Sequence, residues 1–233
     1  MAALAVSRNR LLAAMPPSQF QSLYSRSAVV PLIYGKRLYD AGETLKYVYF
    51  VETGIISLLS KVGKNSSIEV GLIGNEGMAG VSAFLGVNTS PNLAIVQGTG
   101  TATRMTVRDF RLSCGECQKL TRQTNIFINS LMVQISQSAA CNRFHPIEAR
   151  LARWLLMTQD RMHEDEFQVT QEFLSNMLGV RREGVNKAVG SLQRRGLISH
   201  SRGLIRVHKR TELEANACEC YEIIRKPYED ALR

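Results

Sequence analysis

The chain has 233 residues, of which 45% are hydrophobic and 21% are charged. These proportions are typical of a globular protein with one or two domains, and they exclude a disordered, collagen-like or disulfide-scaffold chain. The net charge of +9 favours an acidic partner, such as nucleic acid or an anionic membrane surface.

The N-terminus and the cysteine content both favour a cytoplasmic protein. In a secretory signal the positive charges precede the apolar stretch, whereas here residues 1–6 are apolar and Arg8 and Arg10 follow them. The five cysteines are odd in number and form no dense framework of the kind that secreted domains use. No apolar run reaches the about 18 residues that a membrane-spanning helix needs, so no membrane partner is expected.

The first 106 residues predict a helical segment followed by a sheet. Residues 9–26 have apolar residues at helical positions, interrupted at Pro16-Pro17-Ser18. From about residue 28, short apolar and β-branched runs alternate with glycine, a pattern typical of a sandwich or barrel. The predicted strands are Val29–Ile33, Val48–Val51, Ile55–Leu59, Ile68–Ile73, Ala94–Val96 and Ala102–Thr106. The glycines predicted to separate them are Gly35, Gly42, Gly54, Gly63, Gly74, Gly86 and Gly98.

The middle of the chain predicts a short helix over Val107–Leu112 and a long one over Lys119–Phe144. Residues at alternating steps of four and three form one stripe along the long helix: Thr124, Ile128, Leu131, Ile135, Ser138 and Asn142. The apolar centre of this stripe, Ile128, Leu131 and Ile135, is typical of a coiled-coil dimer seam. The alternative, with about equal weight, is that the stripe packs on the chain's own barrel. We place a hinge at His145-Pro146, because the residue before a proline disfavours helical angles.

The last segment predicts a winged helix-turn-helix. After a helix that continues from Ile147, a strand is predicted near Phe167, and Thr170 is placed to cap the next helix. Gly179 can end that helix in a left-handed turn, and Gly196 can end the helix after it. Two short strands around Ser201-Arg202-Gly203 complete the wing.

The positive charge is concentrated in this winged segment. Between Leu178 and Arg210 there is one acidic residue, Glu183, and there are nine basic residues. Basic side chains on the second helix and wing of such a module neutralise phosphates, and polar residues at the start of that helix reach base edges. The segment is therefore predicted to bind double-stranded DNA.

Two stretches of this segment resemble the Crp/Fnr transcription regulators of bacteria. Gly179–Lys187 looks like the recognition helix of that family, and Leu192–Ile198 matches the usual helix end and wing start. The resemblance implies an α+β fold with three parts: a cupin-like β-roll sensor domain with an N-terminal helix in residues 1–118, a dimerisation helix in 119–145, and a winged helix-turn-helix domain in 146–233.

The resemblance also implies roles for particular residues. Arg182, Glu183 and Lys187 match the base-reading positions of the family. Arg182 can donate two hydrogen bonds to guanine, and Glu183 can accept one from cytosine N4 or buttress Arg182. Gly184 stands where the family often has threonine or serine, which implies looser recognition there. The positions expected to contact phosphate are Thr170, Gln171, Arg181 and Arg202.

The sensor domain departs from the members of this family that bind cyclic nucleotides. Those members carry Gly-Glu and Arg-Ser-Ala, whose glutamate and arginine hold the ribose and the cyclic phosphate. Here the corresponding positions read Gly80-Val81 and Asn92-Leu93-Ala94, and no arginine lies between Gly71 and Gly100. A buried phosphate without a cationic partner would cost several kcal/mol. We therefore expect no cyclic-nucleotide requirement, with a cyclic-nucleotide- or redox-responsive regulator as the alternative.

The cysteines offer a rival from another class. Cys114 and Cys117 have the C-x-x-C spacing of redox and metal sites, and Cys218 and Cys220 are separated by one residue. Iron–sulfur members of the family gather cysteines near the N-terminus, where this chain has none. No histidine stands at metal-binding spacing from the cysteines; the four are His145, His163, His200 and His208. Buried or incidental thiols are favoured, so no metal and no cofactor are expected.

The sequence predicts a homodimeric transcription regulator that reads a near-palindromic operator. Its two recognition helices would enter successive major grooves, about 34 Å apart. The resemblance also implies RNA polymerase as a partner. No P-loop, nucleophile elbow or zinc-hydrolase motif is present, so no enzyme activity is expected. The remaining alternative is a thiol redox enzyme that uses Cys114 and Cys117.

Overall fold

The structure, a computed structural model, describes residues 7–63 and 66–230. Residues 1–6, on which the expectation about a secretory signal rests, lie outside the described residues. Two helices confirm the prediction for the N-terminal segment: α1 (Arg10–Ala13) and α2 (Pro17–Ser25). The Asn9 side chain caps α1 by accepting hydrogen bonds from the backbone N–H groups of its first turn, and its amide donates to the roll, which fixes this arm in place.

Six strands form one antiparallel sheet that curls into the predicted β-roll. Their bounds are β1 (Ser27–Leu32), β2 (Arg37–Tyr39), β3 (Tyr47–Val62), β4 (Ser66–Ile73), β5 (Met78–Ala79) and β6 (Leu93–Thr106). β3 and β6 pair with each other over nearly their whole lengths, and β1 and β4 flank them. The roll encloses an apolar core that includes the fully buried Phe50, Ile55 and Ile56.

Two of the predicted turns are not turns. Gly54 and Gly98 lie inside β3 and β6, where the strand register shifts, so the four strands predicted around them are two long ones. Gly54 has a φ of 85°, and a Cβ there would lie 2.5 Å from the Gly98 carbonyl oxygen. Only glycine suits such a bulge. In a sequence, a bulge glycine between two apolar runs has the same appearance as a turn glycine.

Three helices lead from the roll to the winged segment: α3 (Val107–Glu116), α4 (Gln118–Phe144) and α5 (Ile147–Met162). α4 lies against the roll, and its Phe127 comes so close to Gly77 that a Cβ there would meet the ring. The predicted hinge is confirmed, since His145 is extended and Pro146 precedes α5. No helix among the described residues combines the length and the apolar character that crossing a bilayer requires.

The winged helix-turn-helix is confirmed. Its elements are β7 (Glu166–Gln168), α6 (Gln171–Leu178), α7 (Arg182–Arg194), β8 (Ile198–Ser201) and β9 (Leu204–Val207). Thr170 caps α6 as predicted, accepting a hydrogen bond of 3.1 Å from the Phe173 N–H. Gly179 ends α6 with a φ of 61°. Local signals were sufficient here because caps and turns depend on neighbouring residues.

Two further helices follow the wing: α8 (Arg210–Asn216) and α9 (Cys220–Asp230). α9 leaves the winged domain and packs on α4 and α5. Its buried Tyr221 and Ile224 face the core, and the Ser130 hydroxyl of α4 donates a hydrogen bond to the Pro227 carbonyl oxygen at 3.3 Å. The C-terminus therefore returns to the long helix.

The winged domain also packs on the roll. The indole N–H of Trp154, on α5, donates a hydrogen bond of 2.9 Å to the buried carboxyl of Glu69, on β4. Gly179 lies against the Ile68 side chain of the same strand. This contact places a titratable carboxyl in the interface between the two parts of the chain.

Candidate functional site

The N-terminal half of α7 presents a polar row to solvent. Arg182, Glu183, Asn186 and Lys187 are exposed, whereas Val185 on the opposite side is fully buried. Positions spaced by one, four and five residues share one face of a helix. The structure therefore brings the three predicted base-reading side chains together at the N-terminal end of α7. In a recognition helix, this is the end whose residues contact base edges.

Arg182 has a partner in the structure that the sequence did not indicate. Its guanidinium forms an ion pair of 2.9 Å with the carboxylate of Glu172, on α6, instead of being buttressed by Glu183. Both side chains are more than half exposed, at 63% and 70%. An ion pair this exposed contributes about 0–1 kcal/mol, so it can be exchanged for a contact to a base.

The four predicted phosphate positions lie at the start of α6, in the turn before α7 and on the wing. Thr170 uses its oxygen to cap α6 and its side chain also interacts with the Tyr34 hydroxyl, while Gln171 is exposed beside it. Arg181 is exposed in the turn before α7. Arg202 and Gly203 both have positive φ, 50° and 78°, the signature of a type I′ hairpin turn. That turn places Arg202, exposed, at the tip of the wing.

Fewer basic residues of this region are free of ion pairs than its sequence suggests. Five of the nine basic residues form ion pairs with carboxylates; they are Arg182, Arg195, Arg206, Lys209 and Arg210. Within residues 7–63 and 66–230, the other four form no ion pair: Arg181, Lys187, Arg194 and Arg202. Uncompensated charge therefore remains on α7, in the turn before it and at the wing tip.

The stripe on α4 does not form one exposed face. Leu131 is 3% exposed, and a Cβ on Gly71 of β4 would lie 3.0 Å from its side chain. Ile128 and Ile135 are half-buried at the edge of that contact. The most exposed large apolar side chain of the central part of α4 is Met132, at 62%. The solvent-facing side of α4 is therefore centred on a residue that the stripe does not include.

At the cassette position, the polar groups of the roll already have protein partners. Gly80, with a φ of 96°, begins a short helical turn at Val81. The hydroxyl of the buried Tyr39 interacts with the Gly80 backbone and the Ser90 side chain, and burial raises the pKa of Tyr39 above its usual value. The Ser90 hydroxyl also donates a hydrogen bond of 2.8 Å to the Asn92 carbonyl oxygen. Neither Val81 nor Asn92 supplies a positive charge for a phosphate, and the Arg111 guanidinium beside this turn donates instead to the Ala83 carbonyl oxygen and the Asn88 side chain.

The C-x-x-C pair is placed for packing. The Cys117 thiol caps α4, accepting from the Leu120 N–H at 3.4 Å, and is 1% exposed. Burial raises the pKa of the Cys114 thiol to about 12. Reactive cysteines have lowered pKa values, because the thiolate is the nucleophile. The thiol redox alternative therefore has no support from this pair.

The other three cysteines meet a histidine, contrary to the expectation from spacing. Cys141, His145, Cys218 and Cys220 bring their four ligand atoms within 4.8 Å of one another. The expectation that no histidine stands in a metal-binding arrangement with the cysteines is thus wrong. A local signal existed, since Cys141 and His145 are one helical turn apart. Their contacts with Cys218, which follows Cys141 by 77 residues, and with Cys220, which follows His145 by 75, depend on tertiary structure alone.

Comparisons with known proteins agree with this architecture. Residues 149–216 match the Crp-like helix-turn-helix domain family. In a comparison with curated protein sequences, no protein matches.

Solved structures of several regulators share the fold. The c-di-GMP-responsive global regulator CLP of Xanthomonas campestris has a TM-score of 0.67 at 13% identity, covering 83% of this chain and 99% of CLP. A transcriptional regulator of the CRP family from Thermus thermophilus has a TM-score of 0.67 at 18% identity, covering 81% and 96%. FixK2 from Bradyrhizobium japonicum has a TM-score of 0.60 at 12% identity, covering 82% and 98%. At such identities the similarity shows a common fold.

Proposed function

We propose that the chain is a DNA-binding transcription regulator of the Crp/Fnr type that acts as a homodimer on a near-palindromic operator, without a cyclic-nucleotide requirement. The observation that carries the proposal is that Arg182, Glu183 and Lys187, three members of the polar row, are exposed together at the start of α7. RNA polymerase is the proposed protein partner. The proposed division of labour is a sensor in residues 1–118, a dimerisation helix in 119–145 and a DNA-binding domain in 146–233.

In this proposal each residue of the row reads one base. Arg182 donates two parallel hydrogen bonds to guanine O6 and N7, leaving its ion pair with Glu172. Glu183 accepts from cytosine N4, and Lys187, one turn further along the same face, donates to a neighbouring base. Thr170, Gln171, Arg181 and Arg202 hold the flanking phosphates, which sets the register of the helix in the groove.

The experiment that tests the function is selection of bound fragments from genomic and random DNA. We expect enrichment of a two-fold symmetric sequence whose half-sites are centred about 34 Å apart, one helical turn of DNA. Recovery of fragments that share no motif would contradict sequence-specific regulation.

The proposed dimer contact follows α4. Ile128 and Ile135 lie at its edge, and Met132 at its exposed centre; Leu131, proposed from the sequence as part of the same seam, packs largely on the roll. A charged Leu131 variant would therefore disturb the monomer as well as a dimer. Met132 gives a cleaner test, because its side chain is in solvent within the chain.

The Met132→Glu variant should be monomeric by light scattering and bind operator DNA more weakly, because a dimer would bury its unpaired charge. Leu112→Glu is the matched control, since Leu112 is an exposed apolar residue at 48% on α3, away from the proposed seam. The control should remain dimeric. A Met132→Glu protein that stays dimeric would place the seam elsewhere on the chain.

Cyclic AMP and cyclic GMP should bind no more tightly than millimolar, because the cassette offers Val81 and Asn92 where charged partners are needed. Titration calorimetry measures this directly. A micromolar dissociation constant that is lost on changing Tyr39 or Ser90 would contradict the prediction and restore the cyclic-nucleotide alternative.

A further inference from the structure

We propose that Cys141, His145, Cys218 and Cys220 form a binding site for one thiophilic divalent metal ion, of which Zn²⁺ is the type. Three cysteine sulfurs and one imidazole nitrogen are a donor set of structural zinc sites, which use four protein ligands in a tetrahedron. Three of the four residues are buried, at 0%, 8% and 0% exposure for the cysteines in chain order. The site is independent of the proposed DNA-binding function.

The separations of the ligand atoms suit a single ion. Cys141 Sγ and Cys218 Sγ are 3.4 Å apart, and Cys220 Sγ is 3.4 Å from His145 Nδ1. A tetrahedral Zn²⁺ with bonds of about 2.3 Å to sulfur and about 2.0 Å to nitrogen needs ligands about 3.5–3.8 Å apart. All six pairs already lie within 4.8 Å, so small side-chain adjustments complete the tetrahedron. An iron–sulfur cluster distributes its four ligands over two or more irons, so some of its ligand atoms must lie further apart.

Side chains around the cluster hold the ligands in place. The carboxylate of Glu219 lies 3.2 Å from His145 Nε2, so that nitrogen keeps its proton while Nδ1 faces the sulfurs. A carboxylate on the outer nitrogen of a metal-binding histidine is a usual second partner, which fixes the ring and its tautomer. Gln137 Nε2 donates a hydrogen bond of 3.0 Å to Cys220 Sγ. Both contacts are compatible with coordination at the inner atoms.

The charge around the cluster also suits a thiolate-bound ion. Coordination releases the three thiol protons to solvent, and the three thiolates then outweigh the two charges of the ion by one. Two buried arginines of α5, Arg150 and Arg153, are near enough for their charge to act on Cys141. Neither forms an ion pair with a carboxylate in the part of the chain that the structure describes. An anionic metal centre would compensate these buried charges.

The position of the site indicates what the ion would hold together. Cys141 lies in the last turn of α4, His145 in the hinge before α5, and Cys218 and Cys220 at the start of α9. α9 follows the helix-turn-helix domain, which ends at residue 216. The ion would therefore tie the C-terminal helix to the hinge between α4 and α5. Without the ion, weaker contacts such as that of Ser130 with Pro227 keep α9 on α4.

Metal content of the full-length protein tests the proposal. Protein purified under reducing conditions without chelator should carry one zinc per chain by plasma mass spectrometry. Cys220→Ser should lose most of this zinc, whereas Cys114→Ser should keep it. Cys114 is a matched control because it precedes α4, and the start of that helix lies about 35 Å from Cys141 along its axis. A chelator should lower the thermal midpoint of the wild type and of Cys114→Ser, and leave that of Cys220→Ser unchanged.

Cobalt binding is a second measurement, and it uses only the wild-type protein, so it does not require any variant to fold. Co²⁺ added to metal-stripped wild-type protein should produce the intense visible bands of tetrahedral thiolate coordination, and Zn²⁺ should remove them. Wild-type protein that binds neither ion would overturn the proposal. Iron with acid-labile sulfide in protein purified without oxygen would overturn it in favour of a cluster.

Discussion

Replacing Arg182 with alanine should weaken binding to the operator by about 1–3 kcal/mol per half-site and relax the preference at one base of each half-site. The guanidinium is exposed at the first residue of α7, and its ion pair with Glu172 lies in solvent. Two donors aimed at guanine O6 and N7 are lost with the side chain, and neither Glu183 nor Lys187 offers the same fork.

Arg194 provides a matched control on the same helix. It is exposed, forms no ion pair among the described residues, and lies about 18 Å from Arg182 along the axis. Arg194→Ala should weaken binding to operator and scrambled duplexes alike and make the salt dependence shallower. Gel shifts on both duplexes at two salt concentrations separate the effects. If Arg182→Ala lowers affinity for both duplexes equally, Arg182 contacts the DNA backbone. The roles proposed for Glu183 and Lys187 would then be contradicted as well.

The second large effect is a fall in stability as pH rises, caused by Glu69. Burial raises the pKa of this carboxyl. The hydrogen bonds from Ser57 and Trp154 and the charges of Arg153 and Arg161 lower it. The effect of burial is the larger, so the pKa rises from 4.5 to about 7. Below pH about 4.5 the group is protonated in both the folded and the unfolded chain. Between about 4.5 and 7 only the folded chain keeps its proton, so the free energy of unfolding falls with increasing pH.

The total contribution of this shift is about 3 kcal/mol, reached above pH 7, where both states are ionised. Glu69→Gln keeps an acceptor for the Trp154 indole and removes the titration. The variant should therefore be the more stable protein at pH 8 and close to the wild type at pH 4.5. Urea unfolding at several pH values measures the difference, with the exposed Glu164→Gln as control. Parallel curves for wild type and Glu69→Gln would mean that the buried carboxyl is ionised in the folded protein.

Features that depend on near neighbours in the chain could be predicted from the sequence. The period of the apolar residues located α4 to within one residue of its observed start, and a proline located the hinge after it. The Thr170 cap, the left-handed Gly179 and the wing turn each depend on a few adjacent residues, whose backbone preferences are local. The exposed row on α7 follows from the same helical spacing.

Contacts between distant parts of the chain could not be predicted in this way. The pairing of β3 with β6 decides that Gly54 and Gly98 are bulges, and the contact of α4 with β4 buries Leu131.

The return of α9 to α4 has the largest consequence, because it brings Cys218 and Cys220 to Cys141 and His145. Periodicity and capping carry no information about such meetings. They arise when apolar faces bury one another, and that burial is a property of the whole packed chain.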